Sequence, residues 1–442
     1  MSYLFEASVF DLDGIITKTA VLHSQAWKAT FDEYLHLLEK RDGKLFKEFT
    51  YKDDYLPYVD GKPRYEGVKS FLESRDIHIP FGEALDKSAN ETCCGIGNRK
   101  NEFFREILEE KGPEIYPSTI MLIKEMKELS IRIGVASSSK NCEFIINSAH
   151  ISDLFETRID GVNAVSYGLK GKPEADIFIK AASNIGTHPD KTIVFEDATS
   201  GVLAGRNGAF GLVIGVARED NILDLFENGA DLVVNDLEEL SMETLNRWFG
   251  IAPFNFFENY EDINSLKADA LTALNIRVNP FYKQSIKTLL DHGKKTVFLI
   301  NIDYILDVFP GVLSELMNIM GSLVKTHDVI LMTSKENKIR EIFKNLNVKL
   351  FPIEKQDTDN NYHLVMRKIM DNFHLSFIDT FPLVIGGMGD DEKSFRFVKT
   401  RGLTVLVTDS NLLQSSADYY VNTTEIIKLL NVFSEYAGGN CG

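Results

Sequence analysis

Short apolar runs alternate with longer amphipathic stretches along most of the chain. Residues 4–10 form an apolar run that stops at Asp11 and read as a buried strand, and residues 20–38 repeat their apolar positions at helical spacing. From about residue 41 to residue 117, charged and aromatic residues dominate and strand signals are few, which predicts a mostly helical insertion. Strand and helix then alternate: strands at 132–136, 192–195 and 210–216, with helices at 140–149, 173–185 and 199–207. Such alternation predicts a parallel sheet covered on both faces, with ligands at the carboxyl ends of its strands.

Residues 236–292 are helical and aromatic in pattern and hold little Gly or Ser, so they read as a connecting segment and not a flexible linker. A second alternating set follows, with strands at 296–300, 329–332, 382–385 and 403–407 and helices at 312–323 and 424–433. The expected architecture is therefore α/β twice over. A Rossmann-like parallel-sheet domain over residues 1–235 carries a helical insertion at about 20–115, and a smaller α/β domain occupies residues 293–442. The two halves suggest a divergent repeat of one fold.

Composition narrows the function. The 442 residues carry 48 Lys and Arg against 65 Asp and Glu, a formal charge of −17, which argues against nucleic acid as the main partner. No apolar run reaches the ~18 residues of a membrane helix. The four cysteines, Cys93, Cys94, Cys142 and Cys441, make neither a disulfide framework nor a zinc pattern and read as free thiols in a reducing compartment. The opening Met-Ser-Tyr-Leu-Phe-Glu-Ala lacks a basic region and a signal-length apolar core, so a cytoplasmic protein is expected.

Four segments carry candidate chemistry. In Phe10-Asp11-Leu12-Asp13-Gly14 two carboxylates stand two residues apart at a strand end, on the same side of the chain, and Gly14 permits a steep turn. Alone, that pattern is better explained by a turn with a solvated acidic pair. The second segment, Ser137-Ser138-Ser139-Lys140-Asn141, offers hydroxyls and N–H groups to an anion, although ordinary helix capping explains it too. The third, Lys170-Gly171-Lys172-Pro173, places a lysine before a Pro-initiated helix. The fourth, Val194-Phe195-Glu196-Asp197, again ends a strand in two carboxylates. Four carboxylates at neighbouring strand ends demand a cation, and Mg²⁺ takes hard oxygen ligands together with water and phosphate oxygens.

With these segments in this order, residues 1 to about 235 resemble the haloacid dehalogenase superfamily of Mg²⁺-dependent phosphotransferases, in its β-phosphoglucomutase-like branch. The resemblance implies that Asp11 attacks phosphorus and that Asp13 is the general acid/base. It implies that Ser137 and Lys172 balance the transferring phosphoryl group, and that Asp11, Asp13, Glu196 and Asp197 hold Mg²⁺. His23, which with Trp27 lies on the first helix, and the cap residues Arg64 and Lys100 fall where that branch contacts substrate, as do Ser138, Ser139 and Lys140. Lys18 departs from the acidic residue common in relatives. The implied substrate is a small-molecule sugar phosphate, and neither nucleic acid nor membrane is an expected partner. The implied reaction is conversion of β-glucose 1-phosphate to glucose 6-phosphate, with a sugar-phosphate phosphatase, including one for trehalose 6-phosphate, as the rival.

Residues 296–442 resemble a decayed trehalose-phosphatase-like member of the same superfamily. Asn301 stands at the nucleophile position, Tyr304 at the turn glycine, and Gly387 and Met388 where metal carboxylates belong. Thr333-Ser334-Lys335 retains a phosphate-type turn. An amide cannot form an acyl phosphate, so this domain is expected to be inactive. Its expected role is structural, in oligomerisation, in contact with a carbohydrate-enzyme partner, or as a sugar-phosphate sensor in disaccharide metabolism.

Overall fold

The computed structural model describes residues 3–43, 45–60, 62–218, 220–255, 270–290, 294–308, 313–353, 362–377, 379–387, 391–409 and 415–437. The chain forms two compact units, Met1–Met242 and Glu243–Gly442.

The strands of the first unit are β1 (Ala7–Phe10), β2 (Arg132–Ala136), β3 (Thr157–Ile159), β4 (Thr192–Glu196), β5 (Leu212–Val216) and β6 (Leu232–Val234). They lie in the order β3-β2-β1-β4-β5-β6, and each pair is parallel. β1 is central and wholly buried, which is why its sequence is apolar on both faces where an alternating pattern would suit a half-exposed strand. Phe10 stands opposite Val135 on β2 and Phe195 on β4, and the Phe10 and Phe195 rings stack 4.4 Å apart. This register brings Asp11, Ser137 and Glu196-Asp197 out of the sheet at one end.

The cap is built from helices Thr19–Asp42, Arg64–Ser74 and Cys93–Lys111. Its aromatic residues form its own small core. Phe31 lies 5.0 Å from Trp27, 5.0 Å from Phe49 and 4.1 Å from Phe71, ring centre to ring centre. Each such side chain contributes about 1.5–3 kcal/mol on burial, enough to hold a helical lobe without a sheet. Two adjacent crossings join cap to core: Lys18 N donates to Glu114 O at 2.8 Å and Tyr116 N to Ile16 O at 2.9 Å.

The expected helix from residue 173 begins instead at Asp176, so Pro173 does not initiate it, and Lys172 sits in a turn. The helix expected from residue 140 begins at Cys142, which leaves Ser138 to Asn141 in the turn after β2. β6 has no counterpart in the sequence reading, because three residues are too few to show a period.

The second unit orders its strands as Lys349–Pro352, Asp328–Thr333, Lys295–Asn301, Thr380–Gly386, Leu403–Val407 and Tyr419–Val421. Counted along the chain this is again 3-2-1-4-5-6, all parallel. Phe254–Asn255 pairs beside Tyr419, so part of the segment read as a connector belongs to this sheet. Cys93, Cys94 and Cys142 are buried free thiols. Among the described residues no helix is long and apolar enough to cross a membrane.

Candidate active site

The carboxyl end of the first sheet opens, beneath the cap, into a cavity. Asp11, Asp13, His23, Arg64, Lys100, Ser137, Ser138, Ser139, Lys140, Lys172, Glu196 and Asp197 all line it. Every site residue singled out in the sequence is therefore at one place.

The floor is acidic. Asp11 follows β1, and its N–H donates to Phe195 O at 3.0 Å, which fixes it beside β4. Lys172 Nζ donates to Asp11 Oδ1 at 2.5 Å and also to Glu196. The second Glu196 oxygen accepts the Ala198 N–H at 2.7 Å. Both Glu196 oxygens thus have partners supplied by the chain. Burial pushes the Lys172 pKa down, but Asp11 and Glu196 outweigh it and hold the ammonium charged. One lysine does not neutralise this floor. The Asp11 pKa is well above the ordinary value, through burial first, with Lys172 opposing and Glu196 and Asp13 adding. Asp197 is likewise raised, by burial and then by the charges of Glu196, Asp60 and Asp11.

Among the described residues no three His, Cys, Asp or Glu side chains form a ready metal cage. The surplus negative charge on Asp11 and Asp197 nevertheless fits a hard divalent cation that takes two carboxylates and fills its shell with a main-chain carbonyl, water and phosphate oxygens. Gly14 adopts φ +88°, and any side chain there would collide with the Asp197 carboxylate. The glycine is thus required by both backbone and space.

Asp13 faces a different set of partners. It accepts from Thr19, and His23 Nε2 lies 3.4 Å from its Oδ1. Lys100 Nζ is 2.5 Å from His23 Nδ1. If Lys100 donates to Nδ1, the proton of the neutral ring rests on Nε2, facing Asp13. Burial alone would raise the Asp13 pKa, but His23, Thr19 and Lys100 outweigh it and the group stays ionised. Burial and then Arg64 push the Lys100 pKa well down, with Asp13 opposing.

Ser137 is buried after β2. Its Oγ accepts the Ser139 N–H at 3.0 Å, which leaves its own O–H to donate into the cavity. The roof is richer in cations, with Lys62, Arg64 and Lys100 from the cap beside Asp60, and Lys140 from the core turn adds to them. Arg64 Nη2 and Asn141 Nδ2 both donate to Asn101 Oδ1, at 2.8 and 2.7 Å, so a cap amide joins a cap cation to the core turn. Lys140 Nζ lies 4.5 Å from the centre of the Tyr65 ring. Tyr55, Val59, Asp60 and Lys62 also line the cavity and were not picked out from sequence. Nothing marks them there, because only the folded cap turns them inward.

The matching end of the second unit is occupied by its own side chains. Asn301 Nδ2 donates to both Asp391 oxygens, at 3.0 and 2.9 Å. Asp303 accepts from Thr333 Oγ1 at 2.6 Å and from Ser334 N and Oγ, both at 2.7 Å. Its carboxylate therefore sits on the Thr333-Ser334 turn expected to take phosphate. Met388 lies outside the described residues.

The first unit is similar in sequence to known proteins. The family model described as haloacid dehalogenase-like hydrolase matches residues 5–208. A β-phosphoglucomutase of Mycobacterium bovis is 42% identical over 237 residues, covering 53% of this chain and 90% of that protein. A β-phosphoglucomutase of Bacillus subtilis is 32% identical over 243 residues, covering 54% and 94%. A crystal structure of β-phosphoglucomutase from Clostridium difficile covers 56% of this chain and 97% of its own, at 27% identity and a TM-score of 0.44.

Proposed function

The chain belongs, through residues 5–208, to the haloacid dehalogenase-like hydrolase family, and on that footing we propose that it interconverts sugar phosphates through a phosphoryl group carried on Asp11. The preferred reaction is β-glucose 1-phosphate to glucose 6-phosphate. The observation that carries the reading is the division of one cavity into an acidic floor around Asp11 and a cationic roof around Arg64. A bisphosphate sugar has an anion for each end.

Asp11, the Asp13 carbonyl and Asp197 are the residues suited to hold Mg²⁺, with Glu196 acting through Lys172. Bound there, the ion supplies positive charge to the phosphoryl oxygens and lowers the cost of bringing an anion to a carboxylate. Asp11 then attacks phosphorus, the bond from phosphorus to the sugar oxygen breaks, and Asp13, carrying the proton it took from a sugar hydroxyl in the preceding transfer, hands it to that oxygen. In the return step a sugar hydroxyl attacks the aspartyl phosphate and gives its proton to Asp13. The ionised resting state of Asp13, favoured by His23 and Thr19, suits it to receive that proton. Ser137 and Lys172 hold the phosphoryl oxygens throughout.

The phosphatase alternative uses the same residues, with water in place of the sugar hydroxyl, and it extends to trehalose 6-phosphate. Incubation with β-glucose 1-phosphate, Mg²⁺ and a trace of the bisphosphate separates the two. Glucose 6-phosphate is the mutase product, whereas free phosphate without it overturns the mutase reading. For the second unit we propose a non-catalytic role, supported by the amide at Asn301 and the carboxylate of Asp303 on the anion turn.

A further inference from the structure

We propose that Arg218 is a positioning residue that ties the turn after Asp11 to the hinge of the cap, an inference that rests on the proposed phosphoryl transfer. Arg218 follows β5 and is far in sequence from every catalytic segment. Its Nε donates to Gly14 O at 2.8 Å. Its Nη1 donates to Asp236 Oδ2 at 2.8 Å and to Asn235 O at 3.2 Å, beyond the end of β6. The guanidinium carbon lies 3.6 Å from the centre of the Tyr116 ring, a stacked cation–π contact. Asp236 also accepts from the Ser118 hydroxyl, on the first turn of the helix that follows the hinge.

Each contact bears on something the chemistry needs. Gly14 is the residue whose bare Cα makes room for Asp197, and its peptide continues directly from Asp13. The turn is closed by Gly14 N to Thr17 O at 2.7 Å and Thr17 N to Leu12 O at 2.9 Å. Displacing the Gly14 carbonyl therefore shifts Asp13 and crowds Asp197 together. Tyr116 lies on the return crossing from the cap, bonded to Ile16 on the outgoing one. A swing of the cap about these crossings turns the Tyr116 ring against a guanidinium whose Nε holds the catalytic turn. Cap closure and turn geometry are thus mechanically linked, and the planar fork of arginine is what makes both contacts at once. An ammonium at this position keeps the charge but cannot donate along Nε while stacking flat.

The test uses Arg218→Lys, Tyr116→Leu and their combination in the full chain. Amide exchange at Gly14, Thr17 and Tyr116 reads the link without substrate. Faster exchange at all three sites in Arg218→Lys, with the helices of the cap unchanged, is the expected result. In turnover of β-glucose 1-phosphate, Arg218→Lys lowers kcat roughly 10- to 100-fold, the size expected for an ångström-scale misplacement, and leaves KM within about threefold. The double variant is then little slower than Arg218→Lys alone, because both substitutions cut one connection. Unchanged exchange at Gly14 and Thr17, or rate losses of the two substitutions that simply multiply, overturns the inference. A wild-type protein that turns over no phosphate ester overturns the proposed function instead, and the exchange experiment still decides the link.

Discussion

Lys172 and Asp11 meet in a buried ion pair of 2.5 Å, and the same ammonium also donates to Glu196. The lysine is the only side-chain cation that hydrogen-bonds the Asp11 carboxylate among the described residues. Lys172→Met leaves two buried carboxylates facing each other. We expect a loss of about 3–5 kcal/mol in stability, typical of a broken buried pair, and a fall of about 10²–10³ in turnover. Urea unfolding and steady-state kinetics measure the two effects separately.

His23 faces Asp13 with one ring nitrogen and Lys100 with the other. The proton-transfer step depends on this chain, whereas transfer from acetyl phosphate to Asp11 expels acetate, which needs no proton. His23→Asn is therefore expected to slow turnover of a sugar phosphate by about 10²-fold while leaving phosphorylation by acetyl phosphate nearly unaffected. Equal losses with both donors contradict the assignment.

Asp60 reaches the cavity from the cap, and its pKa is raised from 3.8 to about 6 by burial and then by the charge of Glu196. A raised carboxyl pKa means that the folded state binds the proton more tightly than the unfolded chain does. Its contribution to stability is neutral below the unfolded pKa, turns unfavourable as pH rises toward about 6, and stays so above that. With chelator present, Asp60→Asn should melt higher than wild type at about pH 7.5 and level with it at about pH 4. A variant no more stable at the higher pH contradicts the shift.

The placement of the floor carboxylates and Ser137 in the first unit was legible in the sequence because each follows or closes a strand in a short contiguous motif. Asp11 after β1, Ser137 after β2 and Glu196 closing β4 are read directly once the apolar runs are marked. Contacts between distant segments were not legible. Asn101 to Asn141 and Asp60 inside the cavity depend on how the cap folds over the core, Arg218 on Gly14 depends on how distant strands assemble in the sheet, and no local pattern encodes either. The start of the helix at Asp176 was missed because Pro173 has the composition of a helix opening but serves the turn that presents Lys172. A repeat of one fold was suggested by the second alternating set, although the four-residue strand Lys349–Pro352 and the three-residue strand Tyr419–Val421 were too short to show a period.

In the second unit, Asn301 donates to both oxygens of Asp391. Asn301→Asp restores a carboxylate at the strand end but sets it against Asp391 and removes both bonds. We expect phosphoryl-transfer activity to be unchanged and the second unit to unfold at a lower temperature. A rise in activity in an Asp11→Asn background contradicts the non-catalytic assignment.

The central claim is that Asp11 carries the phosphoryl group. Acyl phosphates are reduced by borohydride to the alcohol, so enzyme quenched during turnover and treated with borohydride should yield homoserine in place of Asp11 on peptide mass spectrometry. That product at position 11, absent from Asp11→Asn and from protein kept without substrate, is the predicted result. Reduction at another carboxylate, or none at all while turnover proceeds, contradicts the account.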